Sequence, residues 1–82
     1  MMGHMANSAR VYQRETTGGH ERVTIMAYLG ADDGDADEIR RIVERDGTVV
    51  EDTIAYFGTA GEQWLREQDD GYRAAGFRPG SP

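Results

Sequence analysis

From Glu21 to Leu29 apolar and polar residues alternate. Val23, Ile25, Ala27 and Leu29 fall on one side of an extended backbone, and Arg22, Thr24, Met26 and Tyr28 on the other. This predicts a half-buried strand, with the first set suited to a core. After an acidic loop, Gly30–Gly34, the period changes. Ile39, Ile42 and Val43 stand at i, i+3 and i+4, which predicts an amphipathic helix from Asp35 to Gly47. Asp35-Ala36-Asp37-Glu38 has the form of a capping box, and its acids suit the positive end of a helix dipole. Arg40, Arg41 and Arg45 would face away, and Gly47 would supply a left-handed stop.

A second capping box, Thr48-Val49-Val50-Glu51, follows directly and predicts a second helix running to about Gln68. In it Val50, Ile54, Phe57, Gly61, Trp64 and Leu65 share one face, with Glu51 and Asp52 in the first turn. Gly58 and Gly61 each weaken that helix by about 1 kcal/mol relative to Ala. A third strand over Thr48–Phe57 is the rival. Its β-propensity is strong, and TIMAYLG (24–30) looks like TIAYFG (53–58). A strand would set Asp52 beside Ile54 and Tyr56, which favours the helix. Trp64, Tyr56 and Phe57 are simplest as core, with Tyr56, off the apolar stripe, the one placed for exposure.

The ends are less regular. Met1-Met2-Gly3-His4-Met5 has the look of a cloning scar, with Met5 the native start. Val11–Thr16 has some strand character, and Thr17-Gly18-Gly19-His20 is a breaker. A mobile or loosely paired arm is expected there, and a hairpin onto Glu21–Leu29 is the alternative. Asp69-Asp70-Gly71 ends the helical stretch. The tail beyond it holds Tyr72 and Phe77, which either dock on the body or wait for a partner. The expected organisation is a scar and arm over 1–20, one domain over 21–68 and a tail over 69–82. The expected fold class is mainly α with an N-terminal β-strand. An α+β arrangement, ββαβα with an N-terminal hairpin, is the alternative.

Composition narrows the function. The chain has 82 residues, of which only 38% are hydrophobic. A domain this short buries about 60% of its unfolded surface, so a second copy would relieve a thin core. There is no cysteine, hence no disulfide framework and no thiolate metal site. No apolar run is long enough to span a bilayer and no signal peptide is visible, so a cytoplasmic location is expected. Net charge is −6, and every basic residue is Arg. Residues 1–31 carry three Arg and two Glu, residues 32–82 six Arg and thirteen acids. The overall field repels nucleic acid, so only a local patch, in the slightly basic region that includes the first strand, could bind it.

Asp33, Asp35, Asp37 and Glu44 occupy positions one, three, five and twelve of an EF-hand-like loop, but Glu38 stands where the turn needs glycine. A solvated helix start explains these acids better. No nucleophile–base pair and no glycine-rich phosphate loop is present. No enzyme activity, cofactor or metal ion is therefore expected.

Arg22-Val23-Thr24-Ile25, then Ile39, Ile42, Val43 and Gly47, then Ile54 seven residues on, resemble the ribbon-helix-helix family of DNA-binding regulators, which includes many antitoxins. The resemblance spans residues 22–65. It implies an intertwined homodimer whose two strands form a ribbon in the major groove of duplex DNA. Arg22, Thr24 and Met26 would contact base edges, and the backbone N–H groups of Thr48, Val49 and Val50 would contact phosphate. A sequence-specific transcriptional regulator or antitoxin is the function it implies. The alternative is a small acidic interaction module, binding a basic protein surface through its acidic second half or its tail, without DNA.

Overall fold

The computed structural model describes residues 8–31 and 34–80. Two hairpins come first. Strands β1 (Ser8–Thr16) and β2 (Gly19–Tyr28) are joined by Thr17-Gly18, with Gly18 at φ 79°. Strands β3 (Asp37–Arg45) and β4 (Thr48–Gly58) are joined by Asp46-Gly47, with both turn residues left-handed, at φ 52° and 82°. Two successive positive φ values make the turn whose twist matches antiparallel strands, and Asp-Gly is a favoured sequence for it. The Asp46 carboxylate accepts the His20 backbone N–H at 2.9 Å, and the Asp46 N–H donates to the His20 carbonyl at 2.9 Å. The tip of the second hairpin is thereby tied to the tip of the first. Helix α1 (Gly61–Ala74) then crosses the sheet, and the short β5 (Arg78–Gly80) pairs with the outer side of β1. The sheet is antiparallel throughout, in the order β4-β3-β2-β1-β5.

The main core cluster lies between α1 and one sheet face, and Val11 is buried on the other. Register sets Tyr12 beside Val23 and Val43, and Ala27 beside Ile39 and Tyr56. Leu65 and Phe77 close over Tyr12, Val23, Ile25, Ala27 and Ile39. Tyr12 stacks on Tyr72 at 4.8 Å between ring centroids, and Tyr72 meets Phe77 edge-on at 5.3 Å. The Arg14 guanidinium lies 4.3 Å from the Phe77 centroid. Tyr12 Oη donates to Asp69 Oδ1 at 2.8 Å; burial and this bond push the phenol pKa above its ordinary value. Tyr72 and Phe77 therefore dock on the body, and residues 69–80 belong to the last turns of α1 and to the sheet.

Asp37 positions one end of the molecule. It is buried, its Oδ1 accepts the Gly30 N–H at 2.8 Å, and its Oδ2 accepts the Gly61 N–H at 2.9 Å. One carboxylate thus holds both the departure of β2 and the start of α1.

The mainly helical expectation is overturned. Residues 8–16 form a strand rather than a loose arm, and Asp35–Gly47 and Thr48–Gly58 form no helix. The ββαβα alternative matches at the N-terminal hairpin and at Thr48–Phe57 but fails at β3. The cause is that β3 carries apolar residues on both faces. Ile39 and Val43 face the helix with Arg41 between them, and Ile42 faces the opposite way. That mixture reproduces the i, i+3, i+4 spacing of an amphipathic helix. Asp35 and Thr48 are not helix caps, and Gly47 belongs to a hairpin turn. The TIMAYLG and TIAYFG segments each carry the end of a strand.

Three carboxylates are held below their ordinary pKa by cations. Glu21 accepts from Arg14 and Arg45, Glu51 from Arg41, and Asp69 from Arg73 as well as Tyr12. Each is more acidic folded than unfolded, so the unfolded chain takes up protons first as pH falls. Stability is expected to be level near neutrality and to decline below about pH 4.5, where unfolded carboxylates protonate. These pairs are largely solvated, so high salt should flatten the decline. Urea midpoints measured from neutral to acid pH would check this; a midpoint unchanged down to about pH 3 would contradict it.

Candidate functional site

No described helix packs on the other face of the sheet, which is closed at β1, where Val11 is 2% exposed, and opens toward β4. Pairing arranges its side chains in rows across the strands. One row is Gln13, Arg22, Glu44, Val49; the next is Val11, Thr24, Ile42, Asp52. A third is Ala9, Met26, Arg40, Ile54, and a fourth is Tyr28, Glu38, Phe57. Two bulges shape the β4 side. Ala55 is the extra residue opposite Ile39 and Arg40, and Val50 the extra residue opposite Val43 and Glu44. The Ala55 bulge reverses the alternation, turning Tyr56 inward against Trp64, at 5.8 Å, and Phe57 outward. The expected roles of Tyr56 and Phe57 are thus exchanged.

The outcome is an apolar edge. Val49 is 53% exposed, Val50 52%, Ile54 53% and Phe57 67%. Acids near it are already answered by β3. Arg40 donates to Asp52 at 2.8 Å on the open face, and Arg41 to Glu51 at 2.6 Å on the helix face. The Arg41 guanidinium draws the Glu51 pKa down. The β4 strip is therefore apolar and locally near neutral, whatever the net charge of the chain.

Arg22, Thr24 and Met26 do share this face, as the alternation predicts, but they sit half-buried on β2, the central strand. The Arg22 Nε is buried without a hydrogen-bond partner. A ribbon that enters the major groove is two strands wide. Five strands at about 4.8 Å spacing span about 19 Å, more than a groove about 12 Å across. The ribbon geometry expected for these three residues is absent. Thr48, Val49 and Val50 begin a strand, so their N–H groups are not those of a helix N-terminus.

The calcium arrangement is also undone. Asp33 lies outside the described residues, both Asp37 oxygens accept backbone N–H groups, and Glu44 lies seven residues along β3, about 23 Å away in an extended chain. Among the described residues no cluster of three or more His, Asp or Glu side chains could hold a metal ion. A concavity of about 330 Å³, bordered by Leu29, Asp35, Asp37, Thr59, Glu62 and Gln63, is partly open to solvent. No described helix is long and apolar enough to cross a membrane.

Sequence reasoning missed the exposed β4 strip because it read those apolar residues as a buried helical stripe. A usable signal was present: Asp46-Gly47 stands between two apolar runs, the pattern of a tight hairpin. No family model, curated protein or solved structure matches the chain.

Proposed function

We propose that this chain is a protein-interaction module whose docking site is β4 and the adjoining open face. The observation that carries this reading is the set of four large apolar side chains, Val49, Val50, Ile54 and Phe57, each more than half exposed on one edge strand. A long apolar edge is a liability in a solitary protein, because it invites pairing and burial. The opposite edge is treated differently: β5 has three residues and includes Pro79. A short edge with proline is a protected edge. The unprotected one is the place for a partner.

Charge argues for protein over nucleic acid. The open face sets Arg22 and Arg40 against Glu38, Glu44 and Asp52, on a chain of net charge −6. Nucleic-acid affinity rests on an excess of cations facing phosphate, which this face lacks. The arginine–acid pairs on β3 and β4 also mean that the partner need not be basic. Apolar contact carries the recognition, with the charged pairs as its rim.

Replacing Ile54 and Phe57 together by Ser tests the reading. Both side chains are exposed, so folding stability should change by no more than about 0.5 kcal/mol per site. Partner proteins retained by the immobilised wild-type chain should be lost from the double variant, and neither should shift a labelled DNA duplex at low salt. Undiminished retention by the folded double variant would overturn the site. Salt-sensitive duplex binding by the wild type would overturn the class.

A further inference from the structure

We infer that the occupant of β4 is a second copy of this chain, joined antiparallel about a two-fold axis through Thr53, so that two five-stranded sheets become one of ten. The inference rests on the interaction reading above and names its partner. β4 is the longest strand, with 11 residues, and among the described residues its outer edge is unpaired. A two-fold axis demands that the strand be complementary to itself, which leaves few registers.

A register centred on Glu51 or Asp52 sets a carboxylate against its own copy. One centred on Ile54 sets Asp52, on the open face, against the partner's Tyr56, from the helix face; Ala55 as centre sets Ile54 against Tyr56 with the same mismatch. Centring on Thr53 meets neither obstacle. Thr53 faces the partner's Thr53, Asp52 faces the partner's Ile54, and Val49 faces the partner's Phe57. Each pair shares a face, because the bulges at Val50 and Ala55 flank the centre and their reversals of alternation cancel. The exposed Val49, Ile54 and Phe57 of both copies then form one apolar seam on the open face. Apolar pairing at Val49 and Phe57 is a favourable cross-strand combination, and the Thr53 hydroxyl keeps its bond to Glu51 at 3.2 Å. Pairing of Arg40 with Asp52 and Arg41 with Glu51 leaves no concentrated negative charge at the junction.

The chain contains no cysteine, so a single introduced thiol reports on the register without ambiguity. Residues directly opposite across an antiparallel pair have Cα atoms about 4.5–5.5 Å apart, within the range a disulfide spans. Thr53→Cys in the full chain should oxidise to a covalent dimer at least about tenfold faster than Glu62→Cys, an exposed control on α1. Sedimentation of the wild type should show twice the monomer mass at high concentration. Association should hold or tighten as salt rises from about 0.05 to about 0.5 M, since screening relieves repulsion between two acidic chains. Equal oxidation of the two cysteine variants, or a wild type that stays monomeric at about 1 mM, overturns the inference. If that monomer still captures another protein through Ile54 and Phe57, the interaction reading survives alone. A dimer that persists in the Ile54→Ser, Phe57→Ser chain, with partner capture also unchanged, overturns both.

Discussion

Ile39→Ala is expected to remove about 3–4 kcal/mol of folding stability, within the range for truncating a fully buried isoleucine. Ile39 has no exposed surface and lies in register between Ala27 and Tyr56, beneath the helix. The loss combines the transfer free energy of the deleted carbons with the cavity left by a sheet and helix too well fixed to collapse. An 82-residue domain is expected to have only about 4–12 kcal/mol in total, so the change takes a large share. The midpoint of thermal unfolding should fall by roughly 12–30 °C, at about 4–8 °C per kcal/mol for a chain of this size. The informative control is Ile42→Ala. A helical segment would bury Ile39 and Ile42 on one stripe and make the two losses alike. In the sheet, Ile42 stands on the open face and is only partly buried, so its truncation should cost less than half as much. Urea unfolding of the two variants, followed by circular dichroism, decides the matter; equal losses would contradict the assignment of faces.

Asp37→Ala is the second large effect, at about 2–4 kcal/mol. Its carboxylate accepts two backbone N–H groups, from Gly30 and Gly61, at a buried position. Hydrogen bonds to a charged group contribute about 1.5–3 kcal/mol each, and truncation leaves two donors unsatisfied unless water enters. Asp37→Asn keeps one oxygen acceptor and should lose less. The same site explains Gly61. A Cβ there would lie 2.7 Å from Asp37 Oδ2, closer than real contacts allow, so Gly61→Ala should destabilise despite the better helix propensity of alanine. At Gly71, in the same helix, a Cβ would meet nothing within 4 Å. Gly71→Ala should therefore stabilise by about 0.5–1 kcal/mol. If both alanine variants gain stability, Asp37 does not hold the helix start as described. Chemical denaturation of the four single variants measures all of this at once.

Both predictions concern residues that the sequence marked for other reasons. Ile39 was legible as core under either fold, because any regular element would bury it. Asp37 was legible only as a member of an acidic helix start, since its two partners lie 7 and 24 residues away. The docking strip was legible least. Val50, Ile54 and Phe57 are apolar at helical spacing, and a segment with apolar residues at such intervals is normally buried. Their exposure follows from two bulges and an edge position, neither of which has a composition of its own.

Local information settled the strand through Glu21–Tyr28, with Val23, Ile25 and Ala27 inward, because alternation has one periodic solution; Leu29 lies just past its end. It also settled the acidic balance and the absence of thiol chemistry, which depend on counting alone. Pairing settled the rest. Whether Ile39, Ile42 and Val43 wind into a stripe or straddle a sheet depends on whether β2 and β4 supply hydrogen bonds on both sides. The Asp46-Gly47 turn and the tie to His20 bring those strands together. Once β3 is extended, Arg41 on the inner face is met by Glu51 from β4 and by Tyr72 from α1, and the side chains of β4 are left half in solvent. The surface offered to a partner is therefore a consequence of strand order, which no window of neighbouring residues encodes.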